Sequence, residues 1–399
     1  MRETDFVIVG AGIIGLSITR ELVRRFPGAR MVVLEKEAEP AFHASGRNSG
    51  VLHAGFYYSA DSLKARFTLT GNKLLTDYCL EHGLPINRCG KVVVATSEAE
   101  IEGIHELKRR GDRNGVDLKL IDPQELNDIE PNARTVGKAL FSPTTSSIDP
   151  RRVCRHLASD FPANVEILFG RRFIGRGPGS VRTDRERIGY RYLFNAAGLY
   201  ADRVARAFGA GTSFTMIPFK GIYLRYNHDG LLQRHVYPVP NLRNPFLGVH
   251  FTKTVDGHVK IGPTAIPAFW RENYDFTSRF DWGEFGEIIA KEARLFLFNH
   301  FNFRQLAFEE MRKYSRRFFI SKAQALLKQV DAGRFGDYTR PGIRAQLLNR
   351  KTFELVMDFL LEHAENSTHV LNAVSPAFTS AFSFARHIVD SSASRMNIN

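Results

Sequence analysis

The chain is short of cysteine. Three occur in 399 residues, Cys79, Cys89 and Cys154, with no CxxC pair among them. An odd, sparse set argues against a disulfide framework and against a thiolate zinc site. The three read as reduced structural thiols, and no metal site is expected. Long apolar runs are missing too. No stretch reaches the roughly eighteen residues that a spanning helix needs. No charged leader with an apolar core precedes the first β-rich run, so the sequence predicts no secretory signal. Internal repeats and low-complexity blocks are also absent. Acidic residues are outnumbered by basic ones, 42 to 55, for a formal net charge of +13. Such an excess fits nucleic acid, an anionic membrane surface or an acidic substrate. The basic residues are scattered, densest at doublets such as Arg24-Arg25, Arg109-Arg110, Arg171-Arg172 and Arg316-Arg317. No helix-turn-helix, RRM or zinc-finger signature accompanies them, so nucleic acid is not expected.

What is present begins at the amino terminus. Asp5 to Val9 is a short β-rich run, and Gly10-Ala11-Gly12-Ile13-Ile14-Gly15 follows at once. Ile13, Ile14, Leu16, Ile18, Leu22 and Val23 then recur at helical spacing to about Arg25. Pro27-Gly28 ends that helix, and Met31 to Leu34 reads as a second buried strand closing on Glu35. This is one βαβ half of a dinucleotide fold. Gly10 permits the tight turn, Gly12 lets backbone approach a pyrophosphate, and Gly15 lets the helix lie close on the sheet. The helix amino terminus offers N–H groups and a positive dipole end to phosphates. Glu35 stands twenty residues past Gly15, where a carboxylate accepts from ribose hydroxyls and argues against a 2′-phosphorylated cofactor. Lys36 adjoins it. The glycine turn alone does not choose between NAD and FAD.

Farther along, 98–112 and 122–130 read as helices, with Ser97 and Asp122 as N-caps. Asp149-Pro150 opens another helix to about Asp160. Short strands fill 165–194, the last running from Tyr190 to Phe194 into Asn195-Ala196-Ala197-Gly198. Residues 216–262 are strand-rich. A long helical tract spans about 282–330, and a strand near Val370 precedes a helix from Phe378 to Val389. The polar tail 391–399 reads as flexible.

Residues 45–58 read Ser-Gly-Arg-Asn-Ser-Gly-Val-Leu-His-Ala-Gly-Phe-Tyr-Tyr. With the glycine turn, this stretch resembles the D-amino-acid-oxidase superfamily of FAD enzymes, and more narrowly the L-2-hydroxyglutarate dehydrogenase/oxidase family. The likeness continues at Ser62-Leu63-Lys64-Ala65, Cys89-Gly90-Lys91, Ala197-Gly198-Leu199-Tyr200-Ala201-Asp202-Arg203 and Tyr237-Pro238-Val239-Pro240. It resumes at Pro245-Phe246-Leu247-Gly248-Val249-His250-Phe251, Gly342-Ile343-Arg344-Ala345-Gln346 and Asn372-Ala373-Val374-Ser375-Pro376-Ala377. The chain departs from the family pattern at Arg47, Lys220-Gly221-Ile222-Tyr223, Trp270 and Phe378.

The resemblance implies an α/β fold, a Rossmann-type FAD-binding domain with an interleaved substrate domain built on a mixed β-sheet. It assigns 1–90, 150–215 and 338–390 to the FAD domain, and 91–149 and 216–337 to the substrate domain. Cofactor contacts are expected from Gly10, Gly12, Ile13, Ile14, Gly15, Glu35, Lys36, Ser45, Arg47, Asn48, Ser49, Gly50, Ala197, Gly198 and Gly342. Ser375, Pro376, Ala377, Phe378 and Thr379, at the start of the last helix, complete the set. FAD is the expected cofactor, bound non-covalently or through His53. The implied reaction removes hydride from a carbon bearing a hydroxyl, with an amine as the alternative. Its expected partners are a small anionic substrate and a quinone or oxygen as electron acceptor.

A base near the hydroxyl suits histidine. His250 and His53 both fall in family-like motifs, and a buried, hydrogen-bonded histidine is the competing reading for each. His250 is the favoured base, because by resemblance it belongs to the substrate domain. A substrate carboxylate needs a fixed cation, and Arg344 is the first candidate, ahead of Lys220 and Lys91. Arg344 also reads as a structural arginine. The aromatic and basic tract 283–330 suggests either a core-facing stripe or peripheral membrane contact. The expected location is cytoplasmic, with peripheral contact at the inner face of the membrane as the variant.

Overall fold

The computed structural model describes residues 2–228, 230–240 and 247–396. Two compact units emerge, the first from 1–47, 150–218 and 344–399, the second from 48–149 and 219–343.

In the first unit the expected βαβ forms. Strand Arg2–Val9 pairs in parallel with Met31–Glu35, setting Val9 beside Leu34, and helix Ile13–Arg25 connects them. On its other side Arg2–Val9 pairs in parallel with Arg187–Asn195, setting Val9 beside Asn195. Val165–Phe169 and Ser367–Asn372 extend this parallel set at its two edges. Parallel strands are covered on both faces, which is why they read as near-continuous apolar runs. Phe6, Ile8, Val33 and Phe194 are completely buried. Val9, Glu35 and Asn195 therefore end along one carboxyl edge of the sheet, the edge at which open α/β sheets take ligands. Helix Ala377–Ser392 packs on Ile13–Arg25, with the Arg20 guanidinium 4.5 Å from the Phe382 ring centre. The expected flexible tail is corrected in part. Ser391 and Ser392 finish that helix, Ser392 Oγ donates to Ile388 O, and Met396 is buried. Apolar burial anchors this segment despite its polar composition, and 397–399 lie outside the described residues.

Residues 48–90 group with the second unit, not with the dinucleotide unit as the resemblance implied. The reason is strand pairing: Val51–Leu52 and Ile86–Asn87 both pair with Ser146–Ile148. The centre of this unit is an eight-stranded mixed sheet. Its order is Phe335–Tyr338, Leu224–Tyr226, Val259–Gly262, His250–Lys253, His235–Pro238, Lys91–Val94, Ala139–Ser142, Lys119–Ile121. Alternation along the strands divides its faces. Val92, Val94, Val236, Phe251, Val259 and Ile261 form one apolar core with Phe319, Ile320 and Ala323. The other face carries Lys91, His235, Tyr237, His250, Thr252 and Lys260. Register sets His235 beside Lys91, Val236 beside Phe251, and Thr252 beside Lys260.

The helical tract is broken into Trp282–Phe298, Phe303–Arg312 and Arg316–Gln324. Asn299 and Asn302 take left-handed φ of 49° and 61° and interrupt it, a conformation that asparagine tolerates better than most residues. The last helix ends at Gln324, short of the expected 330. Of the strand-like run from Pro245, His250 is the first residue in a strand. Pro245 and Phe246 lie outside the described residues.

Candidate active site

The glycine turn of the first unit is built as two of its three expected roles require. Gly10 has φ +107°, and a Cβ there would meet Ala196 O at 2.6 Å. At Gly15 a Cβ would lie 1.9 Å from Gly10 O. These two glycines are demanded by the protein itself. Gly12 is different: a Cβ there would meet only the Ser45 hydroxyl, at 3.0 Å. Its Cβ direction is otherwise open among the described residues. Gly198, φ +55°, has nothing within 4 Å of its Cβ direction. Its turn adjoins Gly10 because Ala196 N donates to Val9 O at 2.9 Å. The two glycine turns thus share one edge and fit an extended dinucleotide.

Ser45 Oγ accepts from Ile13 N at 2.9 Å and so serves the otherwise uncapped helix. Ile14 follows, buried in the first turn. Glu35 does more than wait for a ribose. Its Oε2 accepts from Ala11 N and its Oε1 from Glu37 N, both at 2.9 Å. Burial pushes this carboxyl above its usual range, and the two backbone N–H groups pull it back down. Each oxygen keeps a second lone pair for a hydroxyl. Lys36 lies 5.5 Å from the Tyr200 ring centre and pairs with Glu37. Arg47 is anchored on its own loop, Nε donating to Phe42 O at 2.8 Å. At the last helix, Ala377 and Thr379 are buried, Phe378 is half-buried and Ser375 is exposed; Pro376 is the N-cap and no acidic residue lies in the first turn. Gly342 opens strand Gly342–Asn349, which also carries Arg344, half-buried in the first unit.

Asn48, Ser49, Gly50 and His53 belong to the second unit. Gly50 N donates to Asn48 Oδ1 at 2.8 Å, and Val51 N meets Ser49 Oγ at 3.4 Å. His53 is buried, and its carbonyl is held by Asn72 Nδ2 at 3.1 Å.

His250 is buried at the start of its strand. Its Nδ1 lies 2.8 Å from Gly248 O, a geometry in which Nδ1 carries the proton and donates. The basic nitrogen of the neutral ring is then Nε2. Tyr237 stacks on this imidazole, ring centres 3.7 Å apart and planes 19° apart. His235, two residues before Tyr237, is held neutral. Its Nδ1 accepts from Lys253 N at 3.1 Å and its Nε2 lies 3.4 Å from Cys89 Sγ. Burial, then the charge of Lys91, pushes it down to about 3.

Sequence reasoning undervalued Lys91. It is neither solvent-facing nor open to a carboxylate. Its Nζ is sealed among Phe56, Tyr57 and Tyr237, at 4.5, 4.5 and 4.8 Å from their ring centres, with no hydrogen-bond partner. Burial pushes it down to about 7. Tyr57 and Tyr237, also buried, have their hydroxyls pushed up by the same cause. The only sequence signal was period-two alternation, which puts Lys91 and Val93 on one face and Val92 and Val94 on the other. Lys220 is buried too, and burial lowers its ammonium. The structure thus brings His250, Tyr237 and Lys91 together on one face of the second unit's sheet. Arg344 belongs to the other unit, with the glycine turns.

Comparison with known proteins agrees with this architecture. The family model described as FAD dependent oxidoreductase matches residues 5–391. The L-2-hydroxyglutarate dehydrogenase of Escherichia coli strain K12 is 35% identical over 394 residues, covering 96% of this chain and 92% of that protein. The mitochondrial L-2-hydroxyglutarate dehydrogenase of Homo sapiens is 34% identical, covering 97% and 88%. Among solved structures, the FAD-bound L-α-glycerophosphate oxidase of Mycoplasma pneumoniae superposes with a TM-score of 0.80 at 22% identity, covering 100% of this chain and 96% of that one. The glycine oxidase of Geobacillus kaustophilus gives 0.68 at 18%, covering 98% and 94%. These two share the fold. The chain belongs to the FAD dependent oxidoreductase family, in the group of the L-2-hydroxyglutarate dehydrogenases.

Proposed function

We propose that this protein oxidises a small 2-hydroxy acid, L-2-hydroxyglutarate foremost, to the corresponding 2-oxo acid, 2-oxoglutarate. A quinone or oxygen is the final electron acceptor. The observation that carries the substrate is the near full-length similarity to proteins named for it. Bound FAD supplies the hydride acceptor. His250 Nε2 takes the hydroxyl proton as hydride leaves the α-carbon. The Gly248 carbonyl keeps the proton on Nδ1, so that Nε2 stays basic, and Tyr237 fixes the ring plane. Arg344 pairs with a substrate carboxylate. His53, in the second unit, would meet the flavin ring or its attachment point. Gly12, Gly198 and the amino termini of helices Ile13–Arg25 and Ala377–Ser392 would hold the cofactor's pyrophosphate and ring.

Anaerobic mixing of the FAD-loaded protein with candidate substrates tests this. L-2-hydroxyglutarate is expected to bleach the flavin, and its D enantiomer and L-glutamate to leave it oxidised. Bleaching by amino acids and not by hydroxy acids overturns the reading.

No helix among the described residues is long and apolar enough to cross a membrane. We place the protein in the cytoplasm with peripheral contact at the inner membrane face. The support is a set of exposed apolar residues, Leu297, Phe298 and Phe308, with exposed Arg304 reaching back to the Phe296 and Leu297 carbonyls and exposed Arg312 one turn past Phe308. Vesicles containing anionic lipid are expected to sediment the protein. The double variant Leu297→Ser, Phe298→Ser is expected to stay in solution, and its equal sedimentation removes this surface from the proposal.

A further inference from the structure

A buried lysine without a carboxylate is costly, because its charge loses water and gains no counter-ion. Lys91 is such a group. Among the described residues no carboxylate lies within ion-pair distance and no acceptor bonds its Nζ. Its surroundings are aromatic instead. The faces of Phe56, Tyr57 and Tyr237 offer the one compensation available to a cation there, attraction to their π quadrupoles.

The wall that closes this cage has a second side. Strand His235–Pro238 lies between Lys91–Val94 and His250–Lys253. Lys91 and His250 therefore reach Tyr237 from strands on opposite flanks. The ring is 4.8 Å from the ammonium and 3.7 Å from the imidazole. One tyrosine separates two groups that both acquire positive charge when they take a proton.

We propose that Lys91 is a positioning residue of the oxidation, which by its charge behind Tyr237 disfavours protonation of His250 and so keeps that base free as the pH falls. The proposal rests on His250 being the base. Like charges on either side of one ring, roughly 8 Å apart, disfavour each other by an amount equivalent to about one pH unit at the effective dielectric of a protein interior. Burial brings the Lys91 ammonium down to about 7, so its charge develops in the range where a histidine ordinarily takes its proton. The sign is definite. While Lys91 carries its charge, a second positive charge on His250 costs more.

Other titratable groups of this unit do not take over the role. His235, on the same strand as Tyr237, is held down at about 3. Cys89, before the Lys91 strand, is pushed up to about 11 by burial. Lys260, on the strand next to His250 and beside Thr252, lies outside the cage, its Nζ 4.8 Å from the Tyr223 ring centre, and is brought to about 8 by burial. Lys253 sends its Nζ to Leu232 O, and Lys64 lies over Tyr58. The hydroxyls of Tyr57 and Tyr237 are pushed above their usual range and stay neutral. Thr252, facing the same side, does not titrate. Lys91 is the group in the cage that changes charge in the neutral range.

The test is a histidine titration in the FAD-loaded protein labelled with 15N in its imidazoles, with His250 assigned by its loss in His250→Gln. In Lys91→Met the His250 midpoint is expected to rise by about one pH unit. In Lys91→Arg, charged at every pH used, it is expected to stay at or below that of the unsubstituted protein. The acidic limb of flavin reduction by L-2-hydroxyglutarate is expected to move with the midpoint, with little change in the high-pH plateau. A midpoint unmoved in Lys91→Met, or moved in the same direction by both variants, overturns the inference and leaves Lys91 as packing alone. The base assignment fails separately, if His250→Gln keeps the acidic limb. Should the Met variant retain no flavin, Lys91→Gln and the Arg variant carry the comparison.

Discussion

Replacing Glu292 by methionine is expected to stabilise the protein, and to do so increasingly as the pH rises. Glu292 lies on the buried face of helix Trp282–Phe298, one turn from Ile288 and close to Leu295. Its Oε1 has no hydrogen-bond partner, and burial alone pushes its carboxyl from 4.5 to about 8. The folded value lies above the unfolded one. Below about pH 4.5 both states hold the proton and the carboxyl costs nothing through ionisation. Between there and about pH 8 the unfolded chain releases the proton while the folded protein keeps it, so stability falls as pH rises. Above that range both are ionised and the full cost remains. At about 1.4 kcal/mol per pH unit, the shift sets an upper bound of about 5 kcal/mol. Partial opening of the helix to water lowers this to about 2–4 kcal/mol. Thermal unfolding of both proteins across this range reads the difference, expected as a gap in Tm that widens to several degrees and then levels. A gap that is constant with pH refutes the argument, since packing changes do not titrate.

Gly12→Val is expected to fold but to retain no FAD, because its side chain enters the pyrophosphate space; visible absorbance against circular dichroism separates the two effects. Gly15→Ala is expected to fail at folding itself, since its Cβ falls 1.9 Å from Gly10 O, and a well-folded Gly15→Ala protein contradicts the close approach. Arg344→Met should lower kcat/KM for hydroxy acids by about 2–4 kcal/mol of lost charge-assisted contact, and unchanged kinetics on every acid tried removes Arg344 from the site. His250→Gln should keep its flavin and slow flavin reduction by about 10²–10⁴-fold; a rate equal to that of the unsubstituted protein passes the role to His53.

The dinucleotide half was legible because its signals are local. Gly10, Gly12, Gly15 and Glu35 lie within one βαβ segment, and each has a role set by turn geometry or distance along the chain. The N-cap at Asp122 was readable for the same reason. The Lys91 cage was not. Its three rings come from residues 56, 57 and 237, and only the parallel pairing of Lys91–Val94 with His235–Pro238 brings them together. Residues 48–90 were misassigned because two-residue strands have no periodicity to read. Their membership is decided by pairing with Ser146–Ile148. The long helical tract looked continuous because asparagine does not announce a left-handed turn, whereas glycine or proline would have.

The interleaving of the first unit has a consequence for how the protein comes into being. A ribosome makes the glycine turn ahead of most of the other parts of its unit. The strand Arg187–Asn195, which closes one flank of Arg2–Val9, emerges much later, and Ser367–Asn372 and helix Ala377–Ser392 later still. Until then the apolar side of Ile13–Arg25 lacks its covering helix. Helix Pro150–Ser159 covers part of helix Ile13–Arg25, but the part that Ala377–Ser392 covers stays open while the second unit, made of 48–149 and 219–343, is synthesised. Domains tend to fold as they are made, in order from the amino terminus. Here that order is inverted: the dinucleotide unit starts first and finishes last, so completion of the second unit precedes any capacity to capture the cofactor.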